Sequence, residues 1–294
     1  MFTRIHHLSL VVPDIREARS LWVDTYGFRP DHSAHSTYDG THSREAFTIA
    51  VGESLLQVLQ PLEPDSGTTR FLEKRGAGPH HLCLSSDDID EDVRRLQTGG
   101  LRLLGATTGS PDQKEGYRVA FFHPSTNLGV LLEIRQDIHA SDEISPQRIG
   151  RGGALTRFHH IGLVAPSIEA AAQLFCGVYG LQVDPDLSPL PYGRAASQDN
   201  VRVLDIPLGE SEIEVVVPQD ENSGTARFLA TRGAGIHHVC FNSEDIERDM
   251  GRLRDAGLQE VGVVSEGRDG VGLVGWLHPK SNLGLLVEVE QDVN

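Results

Sequence analysis

Three blocks of this chain are written twice, in the same order. RFLEKRGAGPHHLCL at 70–84 recurs as RFLATRGAGIHHVCF at 227–241, and HHLSLVVPDIREARSLWVDTYGF at 6–28 recurs as HHIGLVAPSIEAAAQLFCGVYGL at 159–181. FFHPSTNLGVLLEIRQD at 121–137 then returns as WLHPKSNLGLLVEVEQD at 276–292. A chain built this way must fold as two copies of one unit. Its 294 residues suffice for two domains of ordinary size, each with its own core. The stretch IHASDEISPQRIGRGGALTR at 138–157 is polar and glycine-rich, which suits a connector. The expected bounds are a first domain over 1–145, a linker over 146–156 and a second domain over 157–294.

Each half holds a fainter repeat, because a strand opened by a histidine pair is followed twice by a helix and then by further strands. Asp14 or Ser167 can cap the first helix, with Ile15, Ala18, Leu21 and Trp22, or Ile168, Ala171, Leu174 and Phe175, at helical spacing. Gly27 or Gly180 stops it. The second helix starts at Ser86 or Ser243 and lines up Ile89, Val93 and Leu96, or Ile246, Met250 and Leu253, before a glycine. Alternating strands such as RVAFF at 118–122 and VLLEI at 130–134 follow. The expected fold is α+β, four βαβββ modules in tandem pairs.

Composition narrows the partners. A formal charge of −16 repels nucleic acid and anionic membranes, while leaving a local pocket free to take a small molecule. No apolar run approaches the roughly 18 to 20 residues that cross a bilayer, and polar residues and a proline interrupt the N-terminal stretch where a signal peptide would need an apolar core. A soluble, cytoplasmic protein is expected. Cys83, Cys176 and Cys240 form no CxxC pair and leave one over, so they read as small buried residues of a reducing compartment.

Side chains alternate along a strand, so only one histidine of each pair should face a given cavity. On that reading the strand residues available to a cavity are His7, Gln57, His81 and Glu133 in the first half, and His160, Glu214, His238 and Glu288 in the second. Two imidazoles, a carboxylate and an amide or second carboxylate make a mixed N/O set for a divalent first-row metal. Each residue also has an ordinary reading, as a hydrogen-bonded core histidine or a solvated strand carboxylate.

The blocks HHIGLVAPSIEAA, GAGIHHVCF and HPKSNLGLLVEVE resemble the vicinal oxygen chelate superfamily, and within it the methylmalonyl-CoA epimerases. The resemblance covers both halves. It implies two U-shaped cups, with a metal held by His7, Gln57, His81 and Glu133 in one and by His160, Glu214, His238 and Glu288 in the other. The epimerases carry one such cup in a chain of half this length, so this chain looks like a fused homodimer, a monomer or a dimer of the fused form. The implied chemistry is abstraction of a proton beside a carbonyl, with Glu133, Glu214 and Glu288 as the acid/base groups and cobalt, manganese, nickel or zinc as the Lewis acid. With a divalent ion the first cup carries +1 after Glu133, and the second is neutral after Glu214 and Glu288, so the first is the stronger electrophile.

The implied substrate is a methylmalonyl-CoA-like acyl-CoA or a cyclitol ketone such as 2-epi-5-epi-valiolone. No Arg/Lys cluster for the CoA phosphates is evident. Two other superfamily activities stand as alternatives. An extradiol ring-cleaving dioxygenase would use iron in one half only, and a non-catalytic antibiotic-binding protein would need no ligand set. Outside the two sets, Glu45 reads as a solvated carboxylate. His123 and His278 read as turn residues before the last strand, and Lys280 as an exposed lysine.

Overall fold

The computed structural model describes residues 1–30, 44–108, 116–137, 155–196, 198–267 and 272–291. Among these, the first half forms a seven-stranded sheet from β1 (Phe2–Val11), β2 (Arg44–Val51), β3 (Ser54–Pro61), β4 (Gly78–Ser86), β5 (Leu103–Thr108), β6 (Tyr117–Phe122) and β7 (Leu131–Asp137), in the order β2-β3-β1-β4-β7-β6-β5. The second half repeats it with β8 (Leu155–Val164), β9 (Arg194–Ala196), β10 (Val201–Leu208), β11 (Ser211–Pro218), β12 (Gly235–Ser243), β13 (Ser265–Glu266), β14 (Leu273–Leu277) and β15 (Leu286–Gln291), ordered β13-β14-β15-β12-β8-β11-β10-β9. In each sheet the histidine-pair strands lie side by side at the centre. The fold is α+β, two mixed sheets matching the tandem duplication. Residues 146–154 of the expected linker lie outside the described residues, and 155–156 already belong to β8.

Six helices accompany the sheets among the described residues: α1 (Ile15–Arg19), α2 (Gly67–Arg75), α3 (Ile89–Thr98), α4 (Ile168–Ala172), α5 (Gly224–Arg232) and α6 (Ile246–Asp255). Asp14 and Ser167 cap α1 and α4 as expected, and each helix then widens into a π-turn, Ser20–Thr25 or Gln173–Val178. Gly27 and Gly180 follow with positive φ. The starts of α3 and α6 differ from expectation. Asp88 and Asp245 are the caps, and Ser86 and Ser243 instead donate to the buried carboxylates of Asp92 and Asp249 at 2.6 Å. A carboxylate accepts an N–H bond at a helix start more strongly than a hydroxyl does, which favours the aspartates. None of the helices described is long and apolar enough to cross a membrane.

By contact density the chain falls into two compact units, each drawing on both repeats. One comprises Met1–Ile5, Leu82–His139 and His160–His238. Within it Tyr179 packs on Phe2 and Phe175 at 5.4 and 5.2 Å, and its hydroxyl donates to Asn127 Oδ1 at 2.6 Å. The other comprises His6–His81, Ala140–His159 and Val239–Asn294. There Trp22 stacks on Tyr26 at 4.7 Å and both meet Phe241, while the Tyr26 hydroxyl donates to Asn282 Oδ1 at 2.6 Å.

Two glycines explain why the blocks RGAG and NLG recur together. Gly129 has φ +75°, and a Cβ there would lie 1.8 Å from the carbonyl oxygen of Ala234. Gly284 has φ +83°, and its Cβ would lie 1.9 Å from the oxygen of Ala77. The NLG turn of each repeat therefore sits against the backbone of the other repeat's RGAG, at a spacing only glycine allows.

Candidate metal centres

The central strands gather the predicted residues into two clusters. In the first sheet, β1 carries His7, β4 carries His81 and β7 carries Glu133, on three neighbouring strands. His7 Nε2 lies 3.0 Å from His81 Nε2, and one donor atom from each of the three residues falls within 4.8 Å of the others. In the second sheet His160, His238 and Glu288 form the same group, again with 3.0 Å between the Nε2 atoms. All six side chains are buried.

The fourth member differs between the copies. Glu214, on β11, brings Oε2 to 3.3 Å from His238 Nε2 and 3.5 Å from His160 Nε2. Gln57, on β3, holds the equivalent register, opposite Ser9 as Glu214 is opposite Gly162. It is half-buried. Two imidazoles and one or two carboxylate oxygens concentrated away from water suit a divalent cation, which offsets the cost of burying the charge. Ser9 adds to the fit in the first cluster. It is buried two residues along β1 from His7, and its Oγ has no hydrogen-bond partner.

One histidine of each pair joins a His–His–Glu cluster. His6 and His7 bring their Nδ1 atoms to 2.8 Å, and His80–His81 and His237–His238 to 3.0 Å. Both rings of each of these pairs converge, meeting edge to face. The reason is chemical: an imidazole that offers Nε2 as a donor must carry its proton on Nδ1, and the neighbouring ring supplies an acceptor for that N–H. His80 and His237 are themselves packed edge-on against Phe71 and Phe228 from α2 and α5.

Arg194 and Asp205 belong to the second cluster but carry no signal in the repeats. Asp205 stands opposite Glu214 in the β10–β11 ladder, and Arg194 donates to both its oxygens at 3.0 and 3.1 Å. The same guanidinium reaches Glu214 Oε1 at 3.4 Å, and all three side chains are buried. In the first sheet the residue opposite Gln57 is Thr48, so Asp205 has no acidic counterpart there. Asp205 and Arg194 cancel, which leaves the charge difference set by Gln57 and Glu214 unchanged. Gly162 completes the second site: a Cβ there would lie 1.9 Å from the His238 ring, so the missing side chain is the space the imidazole fills.

Glu45, His123, His278 and Lys280 belong to neither His–His–Glu cluster. Glu45 is exposed on β2, out of phase with Thr48, which pairs with Gln57. His123 and His278 cap short 3-10 turns, accepting from the N–H of Ser125 and Lys280 at 3.0 and 3.1 Å, and Lys280 is exposed. Cys83 and Cys240 are buried and Cys176 is half-buried. Burial, and then the nearby Glu133 carboxylate, push the Cys83 thiol well above its usual range.

The sequence profile described as the Glyoxalase/Bleomycin resistance protein/Dioxygenase superfamily matches residues 6–121 and again 159–273. An ethylmalonyl-CoA/methylmalonyl-CoA epimerase of Cereibacter sphaeroides is 35% identical over 140 residues, covering 46% of this chain and 97% of that protein. A 3-dehydroshikimate dehydratase of Pseudomonas aeruginosa is 26% identical over 203 residues, 67% of this chain and 31% of that one. Among solved structures, a mutant 4-hydroxymandelate synthase of Streptomyces coelicolor superposes on the whole chain and on 94% of its own with a TM-score of 0.72 at 20% identity, a likeness of fold.

Proposed function

Because this chain belongs to the glyoxalase/bleomycin resistance protein/dioxygenase superfamily, we propose that it is a metal-dependent epimerase or isomerase removing a proton from carbon beside a carbonyl. The observation that carries this reading is the pair of buried His–His–Glu clusters, one in each sheet. The proposed ligands are His7, Gln57, His81 and Glu133 in the first cup, and His160, Glu214, His238 and Glu288 in the second. A bound divalent ion of the cobalt, manganese, nickel or zinc kind supplies a Lewis acid that draws charge from the substrate carbonyl.

The protein's own groups handle the proton. Epimerisation needs its removal from one face of the carbon and return to the other. Glu214 and Glu288 give the second cup two carboxylates at the same pair of imidazoles, one for each transfer. Arg194 holds Glu214 by Oε1, which leaves Oε2 directed toward the histidines. In the first cup Glu133 acts alone among the ligands, beside the neutral Gln57 and the Ser9 hydroxyl. The two cups therefore differ in base strength and in electrophilicity.

The proposed substrate is an acyl-CoA of the methylmalonyl type, supported by the 35% identity to the Cereibacter protein. A cyclitol ketone such as 2-epi-5-epi-valiolone is the rival within the same chemistry. The domain bounds 1–145 and 157–294, a cytoplasmic location and a monomer or homodimer of the fused chain form part of the proposal. The deciding experiment incubates metal-loaded protein with each substrate in deuterium oxide and follows label at the stereocentre. Exchange that chelation abolishes is expected. No exchange with either substrate removes the reading, and oxygen uptake with a catechol by an iron-loaded sample replaces it with the ring-cleaving alternative.

A further inference from the structure

A second group of donor atoms lies beside the second cup and has no proposed role in the epimerase chemistry. Two residues along β12 from His238 stands Cys240, and two residues along β15 from Glu288 stands Glu290. That offset is about 7 Å along a strand. His159, the partner in the β8 histidine pair, completes the group. His159 Nδ1 is 3.7 Å from Glu290 Oε2, and the Cys240 thiol donates to the same oxygen at 3.8 Å. Donor atoms of these residues and of His160 all lie within 4.8 Å of one another. Cys240 and Glu290 are buried and His159 is largely so.

We propose that His159, Cys240 and Glu290 form a further metal site, selective for a thiophilic divalent ion such as zinc. Thiolate, imidazole and carboxylate are the three donor types of tetrahedral zinc sites. Around such an ion, Zn–S of about 2.3 Å and Zn–N or Zn–O of about 2.0 Å put neighbouring donors roughly 3.3 to 3.5 Å apart. The distances of 3.7 and 3.8 Å are wider by only a few tenths of an ångström. Binding releases the thiol proton to solvent and leaves a fourth position for water.

In the first repeat His6 and Cys83 match His159 and Cys240 and, with His7, bring donor atoms within 4.8 Å of one another, but the residue matching Glu290 is Arg135. Its guanidinium pairs with Asp137 at 2.8 Å, so the position that supplies a carboxylate in the second repeat supplies a cation in the first, which opposes a metal ion there.

Cobalt(II) tests the site without reference to catalysis, because only thiolate ligation gives a sulfur-to-cobalt charge-transfer band in the near ultraviolet, and the cups hold nitrogen and oxygen donors alone. Titration of the full-length protein is expected to raise that band to a plateau whose intensity corresponds to one thiolate-bound cobalt per chain, alongside the cobalt taken up by the cups. Cys240→Ser and Glu290→Arg, the latter copying the first repeat, should abolish it, and Cys83→Ser should leave it unchanged. No band at excess cobalt in natively folded protein overturns the site, as does a band that survives Cys240→Ser or is lost with Cys83→Ser. Should Cys240→Ser fail to fold, Glu290→Arg and Cys83→Ser decide. Cobalt in the cups is read separately from visible ligand-field bands and deuterium exchange, so failure of this site and failure of the epimerase reading are distinguishable.

Discussion

The histidine pairs show most directly how one residue's position acts through its neighbour. His80 and His237 place Nδ1 3.0 Å from Nδ1 of His81 and His238, in position to accept the proton that an imidazole ligating through Nε2 carries there, so removing either should weaken the metal affinity of its own cup by about 10- to 100-fold. Competition with a chromophoric chelator should show His80→Ala affecting one equivalent and His237→Ala the other. Equal losses in both would contradict the assignment. Arg194 is the second decisive residue. It pairs with Asp205 and also reaches Glu214, both buried beside it, and breaking such a pair from one side costs about 3–5 kcal/mol. Arg194→Met should lower the urea midpoint accordingly, and a variant as stable as the parent would mean that water reaches the carboxylates. These contacts were illegible in the sequence for a simple reason. Alternation along a strand treats each side chain alone, whereas the Nδ1–Nδ1 contacts depend on the rotamers of adjacent rings, and the Arg194 link on where a guanidinium from one strand meets carboxylates of two others.

At the scale of elements, the α1 and α4 helices were readable from cap and spacing, because capping is local chemistry among residues two or three apart. The starts of α3 and α6 were not, since Ser86 and Asp88 both qualify as caps, and only the burial of Asp92 shows that the serine is engaged elsewhere. The turn glycines make a sharper test. Gly129→Ala and Gly284→Ala each place a methyl within 2 Å of a carbonyl oxygen at a left-handed backbone angle. Each should destabilise by well over about 1 kcal/mol, the strain of the conformation alone costing that much. Thermal melts of the two variants should show similar losses, because the two contacts are copies of one another. Alanine tolerated at Gly129 but not at Gly284 would show that the repeats have diverged in packing as well as in charge.

For the whole molecule, each compact unit takes segments from both repeats, with Trp22 and Tyr26 packed on Phe241 in one and Tyr179 on Phe2 in the other. Residues 1–145 and 157–294 produced separately should therefore expose these aromatic surfaces and self-associate or remain partly unfolded. Mixing them should restore a 1:1 complex by size-exclusion chromatography with light scattering. Two stable, non-interacting monomers would argue against this arrangement. The sequence by itself determined the duplication, the α+β class and the strands on which the eight candidate donors stand, because repeats and alternation are patterns in the order of residues. Only the tertiary structure decided that both rings of a histidine pair converge, that Arg194 and Asp205 enter the second cluster, and that Glu290 answers Cys240 where Arg135 faces Cys83. Those outcomes depend on side-chain rotamers and on through-space distances between strands far apart in the chain, and neither has a periodicity for a sequence to display.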